Sequence, residues 1–303
     1  MDRRYVVLDV FTAEKLEGNP LAVVLDSDGL DTRRMQAIAR EFGLPETVFV
    51  AAASRPGLTA KLRIFTPAKE LDFAGHPTVG TAVLLASRRF PIIEKTIDSM
   101  IVLEENVGPV RCAVKLYPDE AAFAEFDVPR LPETVAVELG SKGAVADALG
   151  LVANDIGFEN HRPSAYSAGT PFIFVPVNGL AAIGRARPNI ALWREAFGSE
   201  TASVYLYTRE CLRHTSRFHA RMFGPGMGIP EDPATGSAAA AFAGVIQHCD
   251  KPTDGTHHYV IEQGFEMGRP SLINLTLEMV GSKLKTGRVG GNAIVVAEGT
   301  LKA

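Results

Sequence analysis

Short stretches from the first part of this 303-residue chain come back in its second half, in the same order and at a nearly fixed distance. Gly18-Asn19-Pro20 recurs as Gly169-Thr170-Pro171, and Thr47-Val48-Phe49-Val50 as Ser203-Val204-Tyr205-Leu206. Arg63-Ile64-Phe65-Thr66-Pro67 recurs as Arg221-Met222-Phe223-Gly224-Pro225. Pro77-Thr78-Val79-Gly80 recurs as Pro233-Ala234-Thr235-Gly236, and Val102, Glu104 and Gly108 as Val260, Glu262 and Gly268. The offsets, taken by subtracting residue numbers, stay between 151 and 160. Each match alone is weak, but their shared order predicts two domains of one topology related by duplication. The length prior also points to two domains. The boundaries read from the sequence are 1–118 and 119–289, with a last strand at about 290–303 returning to the first domain.

Local pattern then sets the fold class. Val6 to Phe11, Leu21 to Leu25, Glu46 to Val50, Leu62 to Thr66, Ile101 to Glu104 and Val110 to Val114 read as strands. Asp31 to Phe42 carries Met35, Ile38, Ala39 and Phe42 at helical spacing, with Asp31 as cap and Gly43 as stop. The helices expected at Thr78 to Ser87 and from Ala238 to Ile246 are apolar around most of their circumference, which demands burial on all sides. The expectation is an α+β protein of two pseudo-symmetric domains, each a curled β-sheet around a central helix. Thr134 to Leu149 reads as a helical stretch near the junction, beside a loop at Asn160 to Ser164, and His257-His258 as a solvated turn.

Composition narrows the function classes. The formal charge is −4 with no Lys/Arg cluster, which argues against a nucleic-acid surface. No run of about 18 apolar residues predicts a membrane span. The N-terminus passes straight into a strand-like run without a signal-peptide core, so the expectation is a cytoplasmic protein. Cys112, Cys211 and Cys249 lie far apart, against a disulfide framework or a zinc site. His161, His214, His219, His248, His257 and His258 show no metal-ligand spacing. There is no glycine-rich nucleotide loop, so neither a cofactor nor a metal is expected.

Two stretches share one grammar. Glu231-Asp232-Pro233-Ala234-Thr235-Gly236-Ser237-Ala238 and Phe73-Ala74-Gly75-His76-Pro77-Thr78 each read as a tight loop feeding a buried helix. The first N–H groups of such a helix have no partner within it and, with the helix dipole, form an anion site. Gly75, Gly236 and Ser237 permit close approach of backbone to a ligand. The two helix starts are expected to face one catalytic cleft holding a small carboxylated molecule. Glu46 breaks the repeat, because its counterpart is Ala202, and a half-buried carboxylate at a strand start suits proton shuttling. An exposed loop glutamate or a helix cap is the alternative. His76 is either a donor to substrate or a core histidine, and Asp232 either a substrate-holding group or an ordinary helix cap. Arg269-Pro270-Ser271 either helps bind an anion or leads into a strand.

Together, Gly18-Asn19-Pro20, Glu46-Thr47-Val48-Phe49, Phe73 to Thr78, Glu231 to Ala238 and Gly268-Arg269-Pro270-Ser271 resemble the phenazine-biosynthesis (PhzF-type) isomerase family, over essentially the whole chain. The resemblance implies a diaminopimelate-epimerase-like fold, no cofactor and a homodimer. It implies Glu46 as proton-shuttling acid/base, supported by His76 and Asp232, with Gly75, Thr235, Gly236 and Ser237 lining the substrate site. Many members carry Ser before this glutamate, where this chain has Pro45, which puts substrate identity in doubt more than reaction type. Related racemases use two cysteines, which would fall at Ala74 and Thr235, and neither is a thiol. The leading expectation is therefore a proton- and double-bond-shifting isomerase. The alternatives are an amino- or hydroxy-acid epimerase using Glu46 with His76, and a non-catalytic carboxylate-binding protein.

Overall fold

The computed structural model describes residues 2–303, apart from the side chains of Met227 and Ile229. It divides into two compact units, one running through Asp127 and adding Val289–Ala303, the other comprising Val128–Arg288. The first unit therefore extends beyond residue 118, because β8 (Ala122–Asp127) pairs antiparallel with β7 (Gly108–Leu116).

In the first unit the remaining strands are β1 (Asp2–Val10), β2 (Asn19–Val24), β3 (Glu46–Ala51), β4 (Ala60–Phe65), the short β5 (Glu70–Leu71) and β6 (Ile97–Glu105). β1 pairs antiparallel with β2, β2 parallel with β3, β3 antiparallel with β4, β4 parallel with β6, and β6 antiparallel with β7. The chain's last strand, Lys283–Lys302, pairs with both β1 and β8 and closes the sheet on itself. Helix α1 (Thr32–Phe42) begins where the Asp31 carboxylate accepts from the Arg34 N–H and ends at Gly43 in the left-handed region. Its Met35, Ile38 and Ala39 pack on Phe49 and Phe65. Helix α2 (Gly75–Arg89) is buried at every position from Gly75 to Leu84, so it has no solvent face over most of its length. That continuous burial is why the segment shows almost no amphipathic pattern.

The second unit contains β9 (Glu133–Thr134), α3 (Lys142–Ala148), β10 (Ser164–Ser167), β11 (Pro171–Pro176), α4 (Leu180–Arg185), α5 (Trp193–Phe197), β12 (Val204–Thr208) and β13 (Phe218–Gly224). It continues through β14 (Ile229–Asp232), α6 (Gly236–Cys249), β15 (Gly255–Gln263) and β16 (Ser271–Val280) into β17, the Lys283–Lys302 strand. The pairings run β10 with β11 antiparallel, β11 with β12 parallel, β12 with β13 antiparallel, β13 with β15 parallel and β15 with β16 antiparallel. This is the succession of the first unit. Helix α6 is buried from Ala238 to Ile246, with Phe242 set among Phe174, Tyr207 and Phe218. On the other face of the sheet, α3, α4 and α5 cover Ile173, Val175, Val204 and Leu206.

Two local expectations are corrected. The stretch Thr134 to Leu149 is helical only from Lys142, because Thr134 pairs with Tyr166 in the sheet and Ser141 caps α3 by accepting from the Ala144 N–H. His257-His258 lies within β15 rather than in a turn, with His258 Nδ1 at 3.1 Å from Thr276 Oγ1 of the neighbouring strand.

Candidate functional site

Within the first unit, three pieces of backbone meet at the start of α2. Gly18, with φ of 65°, turns the chain into β2, and a Cβ there would stand 2.4 Å from the Val10 carbonyl oxygen. Pro20 follows at the start of β2, and its carbonyl hydrogen-bonds the His76 ring. Glu46 opens β3, in parallel register with Leu21. His76, the second residue of α2, brings its Nδ1 to 3.2 Å from Glu46 Oε2. The two side chains are nearly buried, Glu46 at 9% and His76 at 3% exposure. Burial pulls the His76 imidazole down to about 3, against the opposing Pro20 bond, so the ring is neutral at ordinary pH. Its Nε2 is buried and has no hydrogen-bond partner among the described residues. The structure thus brings Glu46, Gly75 and His76 together, and Glu46 is neither exposed nor a loop residue.

In the second unit Asp232 ends β14 and is 6% exposed. It is not the cap of α6. That position belongs to Thr235, whose hydroxyl donates instead to Asp232 Oδ2 at 2.6 Å. Gln263, at the end of β15, clasps this loop. Its Nε2 donates to the Asp232 carbonyl at 2.7 Å and to Thr235 Oγ1 at 2.9 Å, and its Oε1 accepts from the Thr235 N–H at 3.1 Å. Neither Thr235 nor Ala74 bonds a helix N–H through its side chain, so both α2 and α6 begin without a side-chain cap. Gly236 is buried and Ser237 half-buried at the start of α6. The turn after Gln263 lies against the same loop, since a Cβ on Gly264 would stand 2.5 Å from the carbonyl oxygens of Pro233 and Arg269. Arg269-Pro270 then lead into β16. His219 pins this turn, with Nδ1 at 3.0 Å from Glu262 and Nε2 at 2.9 Å from Glu266.

Two strand-end residues escaped the sequence reading: Gln263, and Glu105 at the end of β6. Glu105 Oε1 lies 2.7 Å from the hydroxyl of Thr78 in the first turn of α2. The signal was available as alternation, because Ile101, Leu103 and Glu105 are the buried positions of β6. Among the described residues no group of three or more His, Cys, Asp or Glu is placed to hold a metal ion. No helix there is long and apolar enough to cross a membrane. The cysteines are free and lie outside both helix starts.

Residues 8–299 match the PhzC-PhzF family model, described as phenazine biosynthesis-like protein. An uncharacterized isomerase of Mesorhizobium japonicum is 53% identical over 99% of this chain and 98% of its own length. The trans-2,3-dihydro-3-hydroxyanthranilate isomerase of Pseudomonas aeruginosa is 34% identical, with 98% of each chain covered. The crystal structure of a PhzF-family phenazine biosynthesis protein of Bacillus anthracis superposes with a TM-score of 0.88 at 27% identity, covering 100% of both chains. The chain is an isomerase of the PhzF type, and it belongs to the phenazine biosynthesis-like family.

Proposed function

We propose that Glu46 carries the proton in this isomerase, moving it, and with it a double bond, on a small carboxylated metabolite of amino- or hydroxy-acid character. The observation that supports this most is the contact of Glu46 with a buried, neutral His76 at the start of α2. The Pseudomonas aeruginosa relative is named for a carboxylated ring bearing amino and hydroxy groups, which is the same substrate class. In the step itself the Glu46 carboxylate takes a proton from one carbon, and the C–H electron pair enters the conjugated system. The resulting carboxylic acid then returns the proton to a second carbon. Nothing is oxidised or reduced. One group suffices if both carbons are served on one face, whereas inversion asks for two opposed groups.

The remaining roles follow from local geometry. His76, its ring tied to the Pro20 carbonyl, packs beside Glu46 Oε2 and offers Nε2 to the substrate. In the first unit Gly75 and the uncapped start of α2 offer N–H donors to a substrate carboxylate, and in the second unit Gly236 and Ser237 at the uncapped start of α6, after Thr235, offer N–H donors to an anion. Within the second unit Asp232, held by Thr235 and Gln263, is the group suited to accept from an amine or hydroxyl. The matching order of strand pairings in the two units is read as the trace of an internal duplication.

The test is Glu46→Gln, which keeps shape and most hydrogen bonding. Turnover of a dihydro-hydroxyanthranilate, followed by its ultraviolet chromophore, should fall by at least about 100-fold with ligand affinity retained. Turnover close to wild type would remove Glu46 from the mechanism.

A further inference from the structure

We propose that Glu105 is a proton-carrying positioning residue: as a neutral carboxylic acid it ties the end of β6 to the first turn of α2 and holds the turn that bears Gly75 and His76. The positioning role rests on the reading of that turn as part of the isomerase site.

Thr78 Oγ1 has two oxygen neighbours, the Ala74 carbonyl at 2.8 Å and Glu105 Oε1 at 2.7 Å. A hydroxyl has one proton, and a carbonyl oxygen can only accept. The Ala74 carbonyl also takes the Thr78 N–H at 3.2 Å, and with the Thr78 hydroxyl proton given to Ala74 as well, the contact to Glu105 is a full hydrogen bond when the carboxyl supplies its own proton. An ionised Glu105 would leave two acceptors competing for one hydrogen.

The surroundings agree. Glu105 is 5% exposed and shares a strand face with buried Ile101 and Leu103, and its Oε2 has no hydrogen-bond partner among the described residues. Burial pushes its carboxyl up to about 8, with the Thr78 bond acting the other way. Among the described residues, the titratable groups on the packed elements bring no compensating cation. His76 on α2 is neutral, and Cys112 on β7 is a buried thiol held well up by burial, with Glu105 and Asp127 adding to it. Lys61 on β4 is exposed and stands opposite Glu104 instead.

The second unit meets the same need with different chemistry. Its strand β15 ends in Gln263, which both donates to and accepts from the loop before α6. A carboxylate can only accept, but a carboxylic acid, like an amide, can do both. Glu105 keeps that dual character only while protonated. Stability from this proton is complete below the ordinary carboxyl value of 4.5 and is lost progressively as pH rises through about 8. Above that, the Ala74–Thr78–Glu105 chain loses a donor and the start of α2 loosens.

Three readouts test this. At neutral pH, difference infrared spectra should show a carboxylic-acid carbonyl band, shifted in heavy water, that Glu105→Gln lacks. The thermal midpoint of the wild type should fall between about pH 6 and pH 9 more steeply than that of Glu105→Gln. With substrate, Glu105→Gln should stay close to the wild-type rate at neutral pH and lose an alkaline limb near pH 8, while Glu105→Leu should lower kcat about tenfold or more. Absence of the acid band, together with equal pH slopes for wild type and Glu105→Gln, would overturn the proposed protonation. Those two measurements need no substrate, so their failure is distinct from failure of the isomerase mechanism. An acid band with unchanged kcat in Glu105→Leu would overturn the positioning role.

Discussion

His219 is fully buried between two carboxylates in the second unit. Burial alone would strip its proton, but the hydrogen bonds it donates to Glu262 and Glu266 outweigh it and hold the imidazole at about 9. A folded value above the ordinary 6.5 means that the stabilisation is complete below that value and is lost as pH rises through about 9. His219→Gln should therefore melt well below wild type at pH 6, and the gap should shrink by pH 10. A gap independent of pH would show that His219 acts through packing alone. Residues such as His76 and Glu46 were legible because they stand in distinctive local strings, and Glu46 also broke the repeat. His219 and Glu105 were not, because their partners are distant in sequence. Glu105 lies one residue past the strand read from Ile101 to Glu104, and its burial shows only when strand alternation is followed one step further.

At the scale of elements, the two central helices carry the architecture and were recognisable by an absence of pattern. Their starts were expected near Thr78 and Ala238 and lie at Gly75 and Gly236, because Gly75-His76 and Gly236-Ser237 already belong to the first turns. Amphipathic α1 was read correctly at both ends, where local cap chemistry decides. The stretch from Thr134 failed because its sheet partner, Tyr166, is invisible to a local window. Tyr166 also explains a glycine inside α6. A Cβ on Gly244 would stand 2.4 Å from Tyr166 Cδ1, so the ring lies directly on the helix backbone. Alanine ordinarily gains up to about 1 kcal/mol over glycine in a helix, but overpacking costs about 1–3 kcal/mol. Gly244→Ala should therefore be destabilising, lowering the thermal midpoint by a few degrees in calorimetry. A raised midpoint would mean that the ring moves aside freely.

At the scale of the whole chain, a repeat with offsets between 151 and 160 was enough to foresee strand-rich units each built on one buried helix. It could not fix where the first unit ends, because β8 contributes only six residues and its place depends on pairing with β7 and β17. The family assignment makes the chain an isomerase, and the asymmetry between Glu46 and Ala202 argues for one proton-carrying group rather than two opposed ones. That distinction is open to one measurement. A dihydro-hydroxyanthranilate is converted by the wild-type protein in deuterium oxide, and the product is read by proton and deuterium NMR. The mechanism predicts a shifted double bond, with deuterium entering only at the carbon that receives the proton, and only to the extent that the Glu46 acid exchanges with solvent before it returns its proton. Deuterium found instead at the carbon that lost its proton, with inverted configuration and no double-bond shift, would contradict it.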